Sequence, residues 1–148
     1  AGCADGSIRL YRIDQPLPVM HWAAGSFPPL SSGKGLAGVA EVRWSPHRPA
    51  VFYVTDSAAR VHVFDLLRTQ IGPTISANDL EPHLRPWGIK NLNNCLQMSL
   101  SEEKLVLGKP SMIVSVGAGV FLRPLAHHIF KPKIDTQKEK ESVTRILS

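Results

Sequence analysis

Glu41-Val42-Arg43-Trp44-Ser45-Pro46-His47-Arg48-Pro49-Ala50-Val51-Phe52-Tyr53-Val54 is the stretch on which the fold turns. Two β-prone runs flank a turn in which Pro46 and Pro49 fix φ and cannot extend a hydrogen-bonded ladder. Along the first run Ala40, Val42 and Trp44 share one side, with Glu41 and Arg43 on the other, the period-2 pattern of a strand. A small-residue turn, Asp56-Ser57-Ala58-Ala59, leads to a third run, Arg60-Val61-His62-Val63-Phe64-Asp65-Leu66. Gly72-Pro73-Thr74-Ile75-Ser76 can add a fourth, outer strand, where a proline is tolerated best. Four short antiparallel strands in succession make one blade of a β-propeller.

Similar units lie on either side. Upstream, Asp5-Gly6 marks a hairpin turn into Ser7-Ile8-Arg9-Leu10-Tyr11-Arg12-Ile13. That run carries apolar bulk on both faces, as expected of a strand enclosed between stacked sheets. Pro16 and Pro18 then interrupt it before a short strand, Val19-Met20-His21-Trp22. Downstream, residues 95–101, 105–107 and 112–116 are β-prone, and Gly117-Ala118-Gly119 turns the chain into residues 120–125. The expected organisation is the end of one blade over 1–24, a loop over 25–38, a complete blade over 39–76 and an inter-blade loop over 77–94. A divergent final blade over 95–130 and a charged tail over 131–148 complete it. The fold class is all-β: the C-terminal blades of a propeller whose ring is incomplete in this chain. The chain opens without a Met and inside a hairpin, which reads as the C-terminal piece of a longer protein.

Composition supports this class and narrows function. With 43% hydrophobic and 20% charged residues the chain can bury a core, and its 12 Pro and 11 Gly fall between short apolar runs. The net charge of +5 is scattered, unlike the clustered Lys, Arg and aromatic residues of a nucleic-acid groove, so no nucleic-acid partner is expected. Cys3 and Cys95 are far apart and in no CxxC pair, which favours reduced thiols. No apolar run approaches the roughly 20 residues of a membrane span.

Three segments occupy equivalent places: Arg9-Leu10-Tyr11-Arg12, His62-Val63-Phe64-Asp65 and Phe121-Leu122-Arg123-Pro124. Asp5 and Asp56 precede the first two and can accept hydrogen bonds from turn N–H groups. Phe64-Asp65 sits where WD repeats carry Trp-Asp, and the spacing exceeds the usual 40–45 residues or so because the loops at 25–38 and 77–94 are long.

On Gly2-Cys3-Ala4-Asp5-Gly6-Ser7-Ile8-Arg9-Leu10, then Val42 to Phe52 with its Trp-Ser-Pro and Arg-Pro-Ala-Val-Phe, then Val63-Phe64-Asp65-Leu66-Leu67 and Gly72-Pro73, the sequence resembles the last blades of the dynein intermediate chains, a WD-repeat family. Within that family the likeness is to the cytoplasmic dynein 2 branch, which serves retrograde intraflagellar transport. It covers residues 2–76 well and 95–125 loosely; Tyr11-Arg12 and Leu122-Arg123 stand in place of Trp-Asp. The resemblance implies a non-catalytic subunit in the cytoplasm, cytoskeleton and cilium. It also implies that the propeller grips the dynein heavy chain, while a second intermediate chain and light chains bind an N-terminal region this chain does not contain. An axonemal or cytoplasmic dynein 1 intermediate chain, a generic propeller scaffold, and a small β-sandwich enzyme or ligand binder remain as alternatives.

Candidate sites follow from the same pattern. Trp44, Asp56, Phe64 and Asp65 are expected to hold the blade together, with Trp44 in the core beside Ala40 and Val42. His47, Arg48 and Arg60 lie in strand-joining turns, and Trp22 and Trp87 in Pro/Gly-rich connections, the places where a propeller rim would meet a partner. No catalytic residue, cofactor or metal is expected. His127-His128 cannot both face one ion from a strand, and His62 between Val61 and Val63 reads as a packed histidine. Gly33-Lys34-Gly35-Leu36-Ala37-Gly38 lacks the strand and helix of a phosphate loop. The tail from Lys131 is expected to fray, with a short helix carrying Val143, Ile146 and Leu147 as the alternative.

Overall fold

A computed structural model of the chain describes residues 1–27, 37–57, 60–75, 95–100, 110–116, 119–124, 131 and 134–148. Among these residues, eight strands form three antiparallel sheets, and a helix ends the chain. β1 (Ile8–Tyr11) and β2 (Pro18–Trp22) pair as a hairpin. β3 (Val39–Trp44), β4 (Val51–Asp56) and β5 (Val61–Asp65) form the second sheet in that order. β6 (Cys95–Leu100), β7 (Ser111–Val116) and β8 (Gly119–Pro124) form the third, followed by α1 (Thr136–Leu147). The all-β class is therefore as the strand pattern requires. The expected run at 105–107, Trp87 and the His127-His128 pair lie outside the described residues.

The second and third sheets share more than strand order. In each, the first strand carries a bulge after its first residue: Val39 pairs with Asp56 and Glu41 with Thr55, and Cys95 pairs with Val116 and Gln97 with Ser115. Ala40 and Leu96 are thus the extra residues at equivalent points. A bulge resets the facing of every residue beyond it, so the two sheets share this irregularity as well as their strand order. The fourth strand expected after β5 is reduced to one bridge, Val63 to Ile75, closed by Thr74 N–H to Val63 O at 2.7 Å and Val63 N–H to Ile75 O at 3.0 Å.

β4 and β5 are buried along their whole length, as the near-continuous Val51-Phe52-Tyr53-Val54 and Val61-His62-Val63-Phe64 runs demand. One face, Phe52, Val54 and Phe64, packs on the inward residues of the hairpin, Ile8 and Trp22, which are paired across β1 and β2. β1 differs from its expectation of two buried faces. Ile8 is buried and Leu10 packs on the core, but Arg9 and Tyr11 face solvent, because the hairpin meets the core with one face only.

The first turn is stitched to the second sheet. The Cys3 carbonyl accepts from Gly6 N–H at 3.0 Å and from Val39 N–H at 2.9 Å, and the Asp5 carboxylate takes the Ser7 N–H at 2.8 Å. Gly6 has φ +86°, and a Cβ there would run into the Ala37 carbonyl, so the turn requires glycine twice over.

The charged tail folds, contrary to the expected frayed end. Asp135 caps α1 through its carboxylate to Gln137 N–H at 3.0 Å, and Glu139 and Val143 on its inner face are buried. Val143 joins the core cluster, and Leu147 packs against it.

Candidate protein-interaction site

The second sheet holds a buried polar cluster at each end, with an aromatic core between them. At the β4–β5 turn, the Asp56 carboxylate is held by Arg60 N–H at 2.9 Å, Arg60 Nε at 2.6 Å and His62 Nε2 at 2.9 Å. Burial works to raise the Asp56 carboxyl, but these hydrogen bonds outweigh it and hold the group below the usual carboxylate range. His62 is fully buried, its ring lies 4.5 Å from that of Phe27, and its Nδ1 has no hydrogen-bond partner among the described residues. Asp56 and His62 touch in the manner of a base and its orienting carboxylate, yet both are sealed from substrate, so the pair braces the turn.

The aromatic core runs from there. Phe64 stacks on Phe52 with ring centroids 4.8 Å apart, and Trp22 meets both at 5.5 and 5.6 Å. The Trp22 indole N–H donates to the Gln70 carbonyl at 2.9 Å.

At the opposite end, the β3–β4 turn places Arg48 inside the protein. Ser45 Oγ accepts from the N–H groups of His47 and Arg48, both at 3.2 Å, which turns the Arg48 side chain inward. Its guanidinium donates to Asp65 Oδ2 at 2.8 Å and to Glu139 Oε1 of α1 at 3.1 Å. Glu139 also accepts from Ala50 N–H at 3.3 Å, and Asp65 from Leu67 N–H at 3.1 Å. Desolvation opposes the Arg48 charge, but the two carboxylates prevail and hold its pKa above the usual value. A cavity of about 10 Å³ lies beside this cluster between Arg48, Val51, Val63, Asp65 and Thr74, with room for one water and not for a ligand.

Several of the sequence-based site residues therefore take different positions. Arg48, expected on the rim, is buried in the ion-pair cluster because Glu139 and Asp65 draw it inward. Trp22, expected near a partner, is buried against Phe52 and Phe64. Trp44, expected in the core, is 48% exposed; it ends the edge strand β3, and its ring covers Phe52 from outside at 5.2 Å. Phe64, Asp56 and Asp65 are buried in the contacts just described. Arg60 is half-buried on Asp56, and His47 is half-buried in its turn. Glu139 is the site residue that sequence reasoning missed. Its spacing to Val143 and Leu147 was the available signal, but nothing local names its partner.

The described residues contain no group of three His, Cys, Asp or Glu side chains able to hold a metal ion, and no helix among them is long and apolar enough to cross a membrane. The arrangement can hold a rigid surface in place.

No family model matches the chain. Over 73 residues, 49% of this chain, it is 47% identical to cytoplasmic dynein 2 intermediate chain 1 of Mus musculus. Over 73 residues it is 38% identical to the human protein of that name. The matched stretch is 6% of either relative's length, so the chain corresponds to a small part of those proteins. The likeness to dynein intermediate chains read from the residues thus holds over half of the chain.

Proposed function

We propose that this chain forms C-terminal blades of a WD-repeat propeller in a non-catalytic intermediate chain of a dynein motor. On this reading the subunit binds the heavy-chain tail and supports motor assembly in retrograde intraflagellar transport, within the cytoplasm, cytoskeleton and cilium. The observation that carries it is the 47% identity to a cytoplasmic dynein 2 intermediate chain over 73 residues. The repeated three-stranded unit, with its bulge at one fixed point, supports the blade assignment.

The mechanism is recognition by a rigid scaffold. Buried clusters at both ends of β4 and β5 lock the turns, so that exposed groups beside them, such as Trp44 at the end of β3, would meet a partner with little ordering cost. Further blades would cover the strand edges that an incomplete ring leaves open. A second intermediate chain and light chains would bind outside this region. Affinity isolation of the full-length subunit from ciliated cells tests the reading. Recovery of the cytoplasmic dynein 2 heavy chain is expected; recovery of an axonemal or dynein 1 heavy chain instead would transfer the subunit to that motor. Recovery of no dynein heavy chain would overturn the assignment.

A further inference from the structure

We propose that α1 is a displaceable occupant of a helix-receiving groove at the Arg48 end of the second sheet. A partner helix bearing a glutamate, with apolar residues four and eight positions later, takes its place.

The groove is defined by what it accepts from α1. A guanidinium and a backbone N–H, Arg48 and Ala50, converge on one carboxylate, and an apolar surface that includes Phe52 and Phe64 begins beside them. α1 answers with Glu139, Val143 and Leu147, one stripe at i, i+4 and i+8. This is recognition of an amphipathic helix in a groove, supplied by the chain itself.

Charge counting makes the occupant exchangeable. With α1 in place, two buried carboxylates share Arg48. With α1 lifted, Arg48 keeps Asp65 at 2.8 Å, so a neutral pair remains and no buried charge is orphaned. The receptor is thus complete before the helix arrives. Only Glu139 and Val143 of α1 are buried, so its contact with the sheet is short. A helix of 12 residues is marginal alone, which couples its folding to docking. Being part of the same chain gives α1 a local concentration advantage that a partner helix overcomes by affinity or by number.

The test uses the whole chain and a fluorescent peptide of residues 135–148 added in trans. Glu139→Gln in the chain weakens the internal competitor, so the unmodified peptide is expected to bind that variant about tenfold more tightly, the scale of one charge-assisted hydrogen bond. The same substitution in the peptide is expected to weaken its binding about tenfold on that scale. Equal capture of the peptide by both chains, or equal binding of both peptides, overturns the proposal. Amide hydrogen exchange gives an independent reading in the unmodified chain. The α1 amides are expected to exchange at least about tenfold faster than those of β4 and β5, as a separately opening unit does. Exchange of all three only together would make α1 a fixed part of the fold and overturn the proposal.

Discussion

Arg48 and Glu139 stand 91 residues apart in the chain and 3.1 Å apart in space, and the contact is buried. One guanidinium thereby joins the turn before β4, the end of β5 through Asp65, and the C-terminal helix. The members of this cluster are not equivalent, and the difference can be measured.

Arg48→Ala leaves Asp65 and Glu139 as two buried carboxylates without their cation. It is expected to cost about 3–5 kcal/mol, the scale for breaking a buried pair from one side. Glu139→Ala leaves Arg48 on Asp65 and is expected to cost less. Urea unfolding of the two variants gives the order; a Glu139 variant as unstable as the Arg48 variant would contradict it.

Asp56 makes the fold acid-sensitive at the other end of the sheet. Its folded pKa is below its unfolded value, near 3.8, so its stabilisation is present above about pH 4 and is lost as pH falls through the folded value. Thermal midpoints measured from about pH 6 down to pH 2 should fall in that window. Asp56→Asn should lower the midpoint at neutral pH and flatten the acid slope. An unchanged slope would place the sensitivity elsewhere.

Tyr53 shows the opposite sign. Burial pushes its phenol above the usual value of 10, and among the described residues its hydroxyl, near Ser45, completes no hydrogen bond. Stability from keeping it neutral is full below about pH 10 and is lost as pH rises toward the folded value. Tyr53→Phe removes an unsatisfied buried group, which typically costs about 1–3 kcal/mol, so the variant should be as stable as the parent or more so at neutral pH. It should also lose part of the alkaline destabilisation. A clear loss of stability in denaturant titration would show that the hydroxyl has a partner.

Gly6→Ala forces a side chain into a left-handed conformation at φ +86° and against the Ala37 carbonyl. A loss of about 1–3 kcal/mol is expected from backbone strain. Calorimetry reads it, and a neutral effect would mean that the turn has an alternative path.

The strands were legible because their information is local. Val39 to Trp44 alternates, the runs at β4 and β5 are apolar throughout, and the prolines mark the turns between them. What failed was orientation that depends on distant residues. Arg48 in a Pro-flanked turn looks solvated until Glu139 arrives from the far end of the chain. Trp44 reads as core from alternation alone, but β3 is paired on one side and Trp44 is its last residue. The tail carries few apolar residues, and its docking adds to Val143 and Leu147 a buried glutamate whose partner lies far away in the chain.

The bulges at Val39–Glu41 and Cys95–Gln97 set a limit on how such a unit can drift. Losing either one would reverse the facing of the rest of its strand in a single step, and neighbouring residues would have to change together to compensate. Side chains can diverge one at a time; this irregularity can only be inherited or lost whole. Kinship between the second and third sheets is therefore better sought in backbone register than in residue identity.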